Sequence, residues 1–290
     1  MDKITMNKPR IGFIGQGWIG KNYADDFEKR GFDTVRYALE PEYAANKEKI
    51  KECEIVFIAV PTPTTPEGFD ASIVRNTLPL IGEGKTAVIK STLVPGTTKE
   101  LQKAFPNIVV LHSPEFLSRG TAVEDAAHPY QNIIGIPEDT TAFHAAADAV
   151  LSILPEAPPM VVSSNTSELF KYVHNTTLFV KSVYMNLLYD TAVALGVEWK
   201  DVQELIKHDP MLASRVENIS HWHITPVHTG GRGIGGDCHI KDFETFSRFY
   251  KTLVGDPMGE AIVEALKQKN IALLRESKKD LDLLKGVYGE

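Results

Sequence analysis

The chain has 290 residues, of which 43% are hydrophobic and 24% are charged, and its formal net charge is -7. This size allows one large domain or two ordinary ones. The acidic balance, without a long basic run, disfavours nucleic acid and acidic membrane surfaces as partners. No apolar run approaches the ~20 residues of a membrane span, and residues 1–6 lack the apolar core of a secretory signal. Two cysteines, Cys53 and Cys238, make no disulfide framework, and a reducing cytoplasm is expected.

The first motif is a glycine-rich turn between a predicted strand and a predicted helix. An apolar run at residues 11–14 leads directly into Gly15-Gln16-Gly17-Trp18-Ile19-Gly20, and residues 21–30 predict a helix. In a dinucleotide-binding turn, Gly15 would make the bend, Gly17 would admit the pyrophosphate and Gly20 would let the helix pack on the strand. The alternative interpretation is a tight turn without a ligand.

The ribose-binding acid that usually accompanies this motif is displaced. It is expected near the end of the second strand, predicted at residues 34–39, where Ala38 stands, and the nearest acid is Glu40. Glu40 could hold the ribose from a displaced turn, or Arg36 could accept a 2′-phosphate. We therefore expect NAD, with NADP left open.

Further apolar runs predict a doubly wound, Rossmann-type parallel α/β sheet. They lie at residues 55–60, 86–89, 108–111 and 132–136, the last of which we expect to be the final strand. Polar residues that follow these strands would meet at one edge of the sheet, where ligands of such folds bind. They are Thr62, Thr64, Thr92 and Glu115. Each alone could equally be a turn former or a helix cap.

A proline-rich break at residues 154–159 indicates a domain boundary. We predict a nucleotide-binding domain at residues 1–160 and a helical domain at residues 161–290. A long helix from about residue 167 to 195 places Lys171 and Asn175 on one face, although a solvated face explains such a pair equally well. Residues 201–207 and about 260–284 predict further helices. His221 and His223 could suggest a metal pair, but no cluster completes it and no metal is predicted.

The second glycine-rich stretch carries a possible nucleophile. Five glycines lie between Gly230 and Gly236, and Cys238, Lys241 and Asp242 follow. Glycine lets backbone approach a ligand closely, and Lys241 or a helix that starts near Asp242 could favour the thiolate. The alternative is a surface turn beside an inert, buried cysteine.

Together and in this order, the motifs resemble the UDP-glucose/GDP-mannose dehydrogenases, a family of four-electron, NAD-dependent nucleotide-sugar dehydrogenases. The resemblance covers about residues 10–270. It is carried by residues 15–20, 60–64, 90–97 and 114–117, by Glu168 to Tyr172 with Asn175, Lys181 and Asn186, and by residues 235–238 with Lys241 and Asp242.

The resemblance implies a role for each matching residue. Cys238 would attack an aldehyde to give a thiohemiacetal and then a thioester, which water would hydrolyse to an acid. Lys171 and Asn175 would stabilise the oxyanion. Asp242 with Thr92 would activate water, and Glu115 would assist thioester hydrolysis.

The implied binding residues form two groups. We expect the cofactor at Gly15, Gly17, Trp18, Ile19, Gly20, Glu40, Pro61, Thr62, Thr97 and Lys241. We expect a sugar or nucleotide-sugar substrate at Phe116, Leu117, Arg119, Arg232, Gly233 and Gly235. The resemblance also implies a homodimer through the long central helix.

Three departures from the family's pattern bear on function. Arg119 stands where the family usually has a second glutamate, and Leu187 replaces an acid after Asn186. The family's third, C-terminal nucleotide-binding domain has no counterpart in this sequence. Two alternatives therefore stay open: a two-electron hydroxyacid-type dehydrogenase or reductase with Cys238 idle, and a non-catalytic cofactor-binding subunit.

Overall fold

The computed structural model describes residues 8–209, 212, 225–228 and 230–289. The chain divides into two compact units. One is formed by Met1–Pro63 and Asp70–Lys171, and the other by Thr64–Phe69 and Tyr172–Glu290. Within the described ranges, no helix combines the length and the apolar character that crossing a membrane requires.

The first unit is built on a seven-stranded sheet. Its strands are β1 (Ile11–Ile14), β2 (Thr34–Tyr37), β3 (Ile55–Ile58), β6 (Thr86–Ile89), β7 (Val109–His112), β8 (Asn132–Ile136) and β9 (Pro159–Ser163). They lie in the order β2-β1-β3-β6-β7-β8-β9 across the sheet. The intervening strands β4 (Thr64–Thr65) and β5 (Gly68–Phe69) form a small antiparallel pair in the second unit.

The sheet confirms the predicted Rossmann-like class but is only mostly parallel. Strands β2, β1, β3, β6 and β7 run parallel, and β1 and β3 are buried along their whole length, as their apolar sequences require. β8 instead pairs antiparallel with β7, through His112 and Gly135, and β9 is parallel to β8. The last two strands therefore run opposite to the other five.

Strand β9 also corrects the expectation that residues 132–136 form the last strand. It lies at the edge of the sheet, and its residues Pro159, Met160 and Ser163 are exposed. Edge strands tolerate proline because one side of their backbone needs no partner. The proline-rich break therefore leads into the sheet, and the boundary predicted between residues 160 and 161 falls inside this strand.

Helices pack against the sheet around an aromatic core. They are α1 (Trp18–Lys29), α2 (Pro41–Ala44), α3 (Ser72–Thr77), α4 (Thr97–Ala104), α5 (Ala122–Ala127) and α6 (Thr141–Leu151), with short 3₁₀ helices at Lys47–Glu52 and Leu78–Leu80. Phe13 of β1 stacks on Phe57 of β3 at 5.3 Å and meets Phe27 of α1 edge-on at 5.4 Å. All three rings are at least 98% buried, so this contact fixes α1 against the strands that flank the glycine turn.

The described part of the second unit is helical apart from two two-stranded sheets, β4–β5 and β10 (Val227–His228) with β11 (Gly231–Arg232). Helix α7 (Ser164–Leu195) begins in the first unit and continues into the second. The remaining helices of the described residues are α8 (Trp199–His208), α9 (Asp237–Leu253), α10 (Pro257–Glu276) and α11 (Leu281–Tyr288). Phe179 of α7 stacks on Phe243 of α9 at 3.8 Å and forms the centre of this unit's core.

The C-terminal helix predicted at residues 260–284 is two helices. Lys278 and Asp280 both have a φ of 53°, a left-handed conformation that interrupts a helix of L-residues. The Asp280 carboxylate accepts a hydrogen bond from the Gly236 backbone at 2.9 Å. The break therefore positions the Asp280 side chain, whose carboxylate holds the second glycine-rich loop.

Candidate active site

The first glycine turn has the geometry that a dinucleotide needs. Gly15 has a φ of 90°, and a Cβ there would lie 2.2 Å from the Ala59 carbonyl oxygen. A Cβ at Gly20 would lie 1.9 Å from the Gly15 carbonyl oxygen, whereas one at Gly17 would meet nothing within 4 Å. Gly15 and Gly20 are therefore required by packing, and Gly17 leaves open the space that a pyrophosphate would occupy.

The surroundings of the second strand favour NAD over its 2′-phosphorylated form. Arg36 donates to Asp25 and Glu28, each at 2.7 Å, and its side chain is 13% exposed. Because two carboxylates already surround this guanidinium, their charge opposes a phosphate there. Glu40 is exposed and immediately precedes α2, where a displaced ribose contact was predicted.

Several other predicted residues of this unit lie in, or just beyond, the loops that follow its strands. The buried Thr62 hydroxyl donates to the Thr92 carbonyl at 2.9 Å, so the loops after β3 and β6 are joined. Pro61 is exposed beside it, and Thr97 is the first residue of α4. Arg119 is exposed and borders a cavity of about 290 Å³ together with Trp18 and residues 120–124.

Glu115 and Lys171 form a buried ion pair. The Lys171 ammonium donates to the Glu115 carboxylate at 3.1 Å and to the Glu115 carbonyl at 2.6 Å. The second carboxylate oxygen accepts from the Leu117 backbone at 2.9 Å. The Phe116 ring lies 5.1 Å from the same ammonium. Both charged side chains are at most 7% exposed, so an acid and a cation are held together away from water.

Lys90 is another buried charge of this unit, and sequence reasoning assigned it no role of its own. Its ammonium donates to the Ser113 hydroxyl at 3.2 Å and lies 4.4 Å from the Tyr23 ring centre. Burial lowers the pKa of Lys90 to about 8, against the opposing attraction of Glu115 and with a smaller contribution from the like charge of Lys171. Its position directly after β6, close to Thr92, could have identified it from the sequence, but lysines in loops are usually exposed.

The neighbouring His112 is not a proton carrier at neutral pH. Its ring is fully buried and its Nδ1 lies 2.8 Å from the Ser167 hydroxyl. Burial lowers the pKa of His112 to about 3. Because it stays neutral, it adds no charge beside Lys90.

The second unit contains the predicted nucleophile at the start of a helix. Helix α9 begins at Asp237, not near Asp242, so the exposed Cys238 lies in the first helical turn. Backbone N–H groups at a helix N-terminus stabilise a thiolate. Lys241 and Asp242 follow three and four residues later and share its face of the helix. The exposure of Cys238 contradicts the buried cysteine of the alternative interpretation, and its reactivity stays a prediction.

Asp242 is the most enclosed charged group beside that helix face. It is 1% exposed, and its two carboxylate oxygens accept from Asn175 at 2.6 Å and from Lys241 at 2.5 Å. Asn175 and Asp242, predicted from separate motifs, are thus brought together. Lys241 is paired with this aspartate, and its predicted contact with the cofactor stays a prediction.

The glycine loop before α9 is tied to its own unit. Gly233 has a φ of 83°, and a Cβ at Gly235 would lie 1.7 Å from an Asp280 carboxylate oxygen. Arg232 donates to Asp190 at 2.6 Å and to the Asn186 side chain at 3.0 Å. A phosphate contact by Arg232 remains a prediction, and it would compete with these two partners.

Among the residues that the structure describes, no group of three or more His, Cys, Asp or Glu side chains could hold a metal ion. His221 and His223, the pair considered from the sequence, lie outside the described residues.

Comparison with known proteins identifies sequence relatives of both parts of the chain. Residues 41–153 match the NAD-binding domain of the UDP-glucose/GDP-mannose dehydrogenase family, and residues 165–270 match the central domain of that family. The prediction of NAD as cofactor is confirmed at the level of this domain family.

Individual relatives agree with the family models. The UDP-glucose 6-dehydrogenase of Rhizobium meliloti is 30% identical over 210 residues, which are 68% of this chain and 46% of the relative. The GDP-mannose 6-dehydrogenase of Pseudomonas aeruginosa is 28% identical over 261 residues, 82% of this chain and 56% of the relative. The chain thus spans about half the length of these curated relatives.

A solved structure shares the fold along the whole chain. The UDP-glucose dehydrogenase of the hyperthermophilic archaeon Pyrobaculum islandicum has a TM-score of 0.79 and 24% identity, and the match covers 100% of this chain and 73% of that one. Since two domain models of one family match most of the sequence in the family's order, the chain belongs to the UDP-glucose/GDP-mannose dehydrogenase family.

Proposed function

We propose that the chain oxidises the primary alcohol of a nucleotide sugar to a carboxylate, with NAD as oxidant and Cys238 as nucleophile. The observation that carries the proposal is Cys238 in the first turn of α9, with Lys241 and the buried Asp242 on the same helical face. Relatives named UDP-glucose and GDP-mannose 6-dehydrogenases support the substrate class.

NAD, when bound at the Gly15–Gly20 turn, supplies the acceptor for one hydride in each of two successive oxidations. The first oxidation converts the alcohol to an aldehyde. The Cys238 thiolate then adds to the aldehyde carbon, and the former carbonyl oxygen takes a proton to give a thiohemiacetal. The second oxidation removes a hydride and that proton and leaves a thioester on Cys238. Water attacks the thioester, the C–S bond breaks, and the acid and the thiol are released.

Two side chains of α7 can stabilise the negative oxygen that develops in these steps. Lys171 uses two of its three donors on Glu115, and Asn175 uses one of its two amide donors on Asp242 among the described contacts. Each therefore keeps a donor for an oxyanion, and each is held by a carboxylate that fixes its direction.

The carboxylates serve the hydrolytic step. Glu115 and Asp242 are buried and anchored by hydrogen bonds, so either can hold a water without first losing its own solvation. We assign Glu115 to thioester hydrolysis and Asp242, with Thr92, to water positioning.

The proposal includes a homodimer through α7. In the part of this helix that belongs to the second unit, four apolar residues are 37–53% exposed and recur at the spacing of one helical stripe: Val173, Val180, Tyr184 and Leu187. The adjoining face of the helix is in the core, with Phe179 and Val183 at most 1% exposed. A second copy of the stripe would cover the exposed one.

A substrate screen with a cysteine control tests the proposal. The protein is incubated with NAD and with UDP-glucose or GDP-mannose, and mass spectrometry follows conversion of alcohol to acid. Cys238→Ser should abolish acid formation while NADH still binds. The control is Cys53→Ser, because Cys53 is buried and burial raises the pKa of its thiol to about 11. Undiminished acid formation by Cys238→Ser would refute the thioester route, and an aldehyde or ketone as the final product would favour a two-electron dehydrogenase.

A further inference from the structure

Helix α4 begins without a cap of its own. Its N-cap residue is Gly96, which has a φ of 104° and no side chain that could accept a hydrogen bond. The first N–H groups of a helix have no partner within the helix, and leaving them unpaired in a buried position is unfavourable. The helix therefore needs an acceptor from elsewhere in the unit.

Glu168 of helix α7 provides that acceptor. One carboxylate oxygen accepts from the Gly96 backbone at 2.7 Å, and the other accepts from the Thr98 backbone at 2.8 Å and from the Thr98 hydroxyl at 2.6 Å. Glu168 and Thr98 are both fully buried. The carboxylate thus caps a helix some 70 residues away in sequence, and its negative charge lies at the positive end of that helix.

The capped segment carries Thr92, which the proposed function uses, and Thr97, which is predicted to contact the cofactor. Thr92 lies four residues before Gly96, in the loop after β6, and Thr97 immediately follows Gly96. The Thr97 hydroxyl donates back to the Val94 carbonyl at 2.7 Å, so the loop closes on itself just before the capped turn. Fixing Gly96 and Thr98 therefore fixes where this loop ends.

The same side of α7 holds the loop after the neighbouring strand. Lys171 lies three residues after Glu168, about one helical turn, and it contacts Glu115 in the loop after β7. Strands β6 and β7 pair directly. One turn of α7 thus attaches to two adjacent loops, one through each charged side chain.

Burial of this carboxylate works against the stability of the fold. Burial raises the pKa of Glu168, opposed by its hydrogen bonds to Thr98 and Gly96 and by Lys99. If the pKa of a carboxyl group is higher in the folded than in the unfolded state, the group contributes less to stability as pH rises through its folded-state pKa. A buried carboxyl group kept at such a cost is more typical of a functional site than of packing.

We infer that Glu168 is a positioning residue that aligns the loop of Thr92 and Thr97 with the Lys171–Glu115 pair. This inference rests on the proposed function for the roles of Thr92 and Lys171, but its structural content, that one carboxylate holds the loop, is independent of it.

The decisive variant is Glu168→Gln, which keeps the shape but turns an N–H donor toward Gly96 or Thr98. Thr98→Val removes only the hydroxyl bond, and Thr98→Ser restores it. Gln102→Ala is the matched control, because Gln102 holds the other end of α4 through Val110 and Ile108. Hydrogen exchange of residues 92–98, measured without cofactor, should accelerate in Glu168→Gln and less in Thr98→Val, and should stay unchanged in Thr98→Ser and Gln102→Ala.

Kinetics then separate positioning from stability. Glu168→Gln should lower kcat roughly 10- to 100-fold, the effect of a small misplacement of reacting groups, while the Kd of NADH changes little because the Gly15–Gly20 turn is untouched. Gln102→Ala should keep kcat even if its Tm falls. Unchanged exchange at residues 92–98 would show that Glu168 does not hold the loop, and faster exchange with wild-type kcat would show that its role is structural.

If the wild type oxidises no tested sugar, the proposed function fails but the inference is still decided. The fluorescence of bound NADH reports the surroundings of the nicotinamide, which Thr97 is expected to contact. Altered emission in Glu168→Gln and Thr98→Val, but not in Thr98→Ser or Gln102→Ala, would support positioning. The same emission in all four variants would overturn it.

Discussion

Removing one member of the buried Lys171–Glu115 pair should destabilise the protein strongly. Lys171→Met eliminates the contact at 3.1 Å to the Glu115 carboxylate and the hydrogen bond at 2.6 Å to its carbonyl. Breaking a buried pair from one side costs about 3–5 kcal/mol, because a charge is left without its partner. Here the carboxylate keeps the Leu117 N–H and the attraction of Lys90. We therefore expect a loss of about 3 kcal/mol, at the lower end of that range.

Urea unfolding followed by far-ultraviolet circular dichroism measures this loss. Glu115→Gln and the double variant complete a double-mutant cycle, in which the losses of unfolding free energy from the two changes should be non-additive. We expect the double variant to be more stable than the sum of the single losses predicts, by about 1–3 kcal/mol. A loss below about 1 kcal/mol for Lys171→Met, the size typical of exposed pairs, would refute the burial and pairing described here.

Three further outcomes are expected. Gly17→Val should fold with a wild-type Tm, because a Cβ there meets open space. It should, however, lose the enhancement of NADH fluorescence that accompanies binding, and normal NADH binding would place the cofactor elsewhere. Lys90 has a folded-state pKa of about 8 against an ordinary 10.5. The free energy of unfolding of the wild type, relative to that of Lys90→Met, should therefore rise by about 3 kcal/mol as pH increases between those two values. A difference in unfolding free energy that does not depend on pH would contradict this prediction. Tyr184→Glu puts a charge into the exposed stripe of α7 and should give a monomeric mass by light scattering, whereas Lys200→Glu outside the stripe should not; a wild-type monomer would refute the dimer.

Most strands of the first unit could be predicted because their sequences are apolar over their full length. Such runs reveal that a strand exists, but not its direction, which depends on how the connection returns to the sheet. The reversal at β8 was therefore inaccessible. Strand β9 was missed because it is half exposed at the sheet edge and begins with proline.

In the candidate site, residue types were more predictable than their partners. Glycine spacing predicted the turn at Gly15–Gly20 because backbone approach there excludes side chains. The pairing of Asn175 with Asp242 joins residues 67 apart in sequence, and no local pattern encodes such a contact. Glu168 could be placed on a helix, but its role as a cap for α4 depends on tertiary packing that periodicity does not describe.

The number of NADH molecules formed per molecule of product tests the central proposal most directly. The wild-type protein is given a limiting amount of the nucleotide sugar that it oxidises, NADH is measured by absorbance, and the product is identified by mass spectrometry. Two hydride transfers through a thioester on Cys238 predict two NADH for each acid. One NADH for each aldehyde or ketone, with no acid formed, would contradict the four-electron mechanism and leave Cys238 without the role proposed for it.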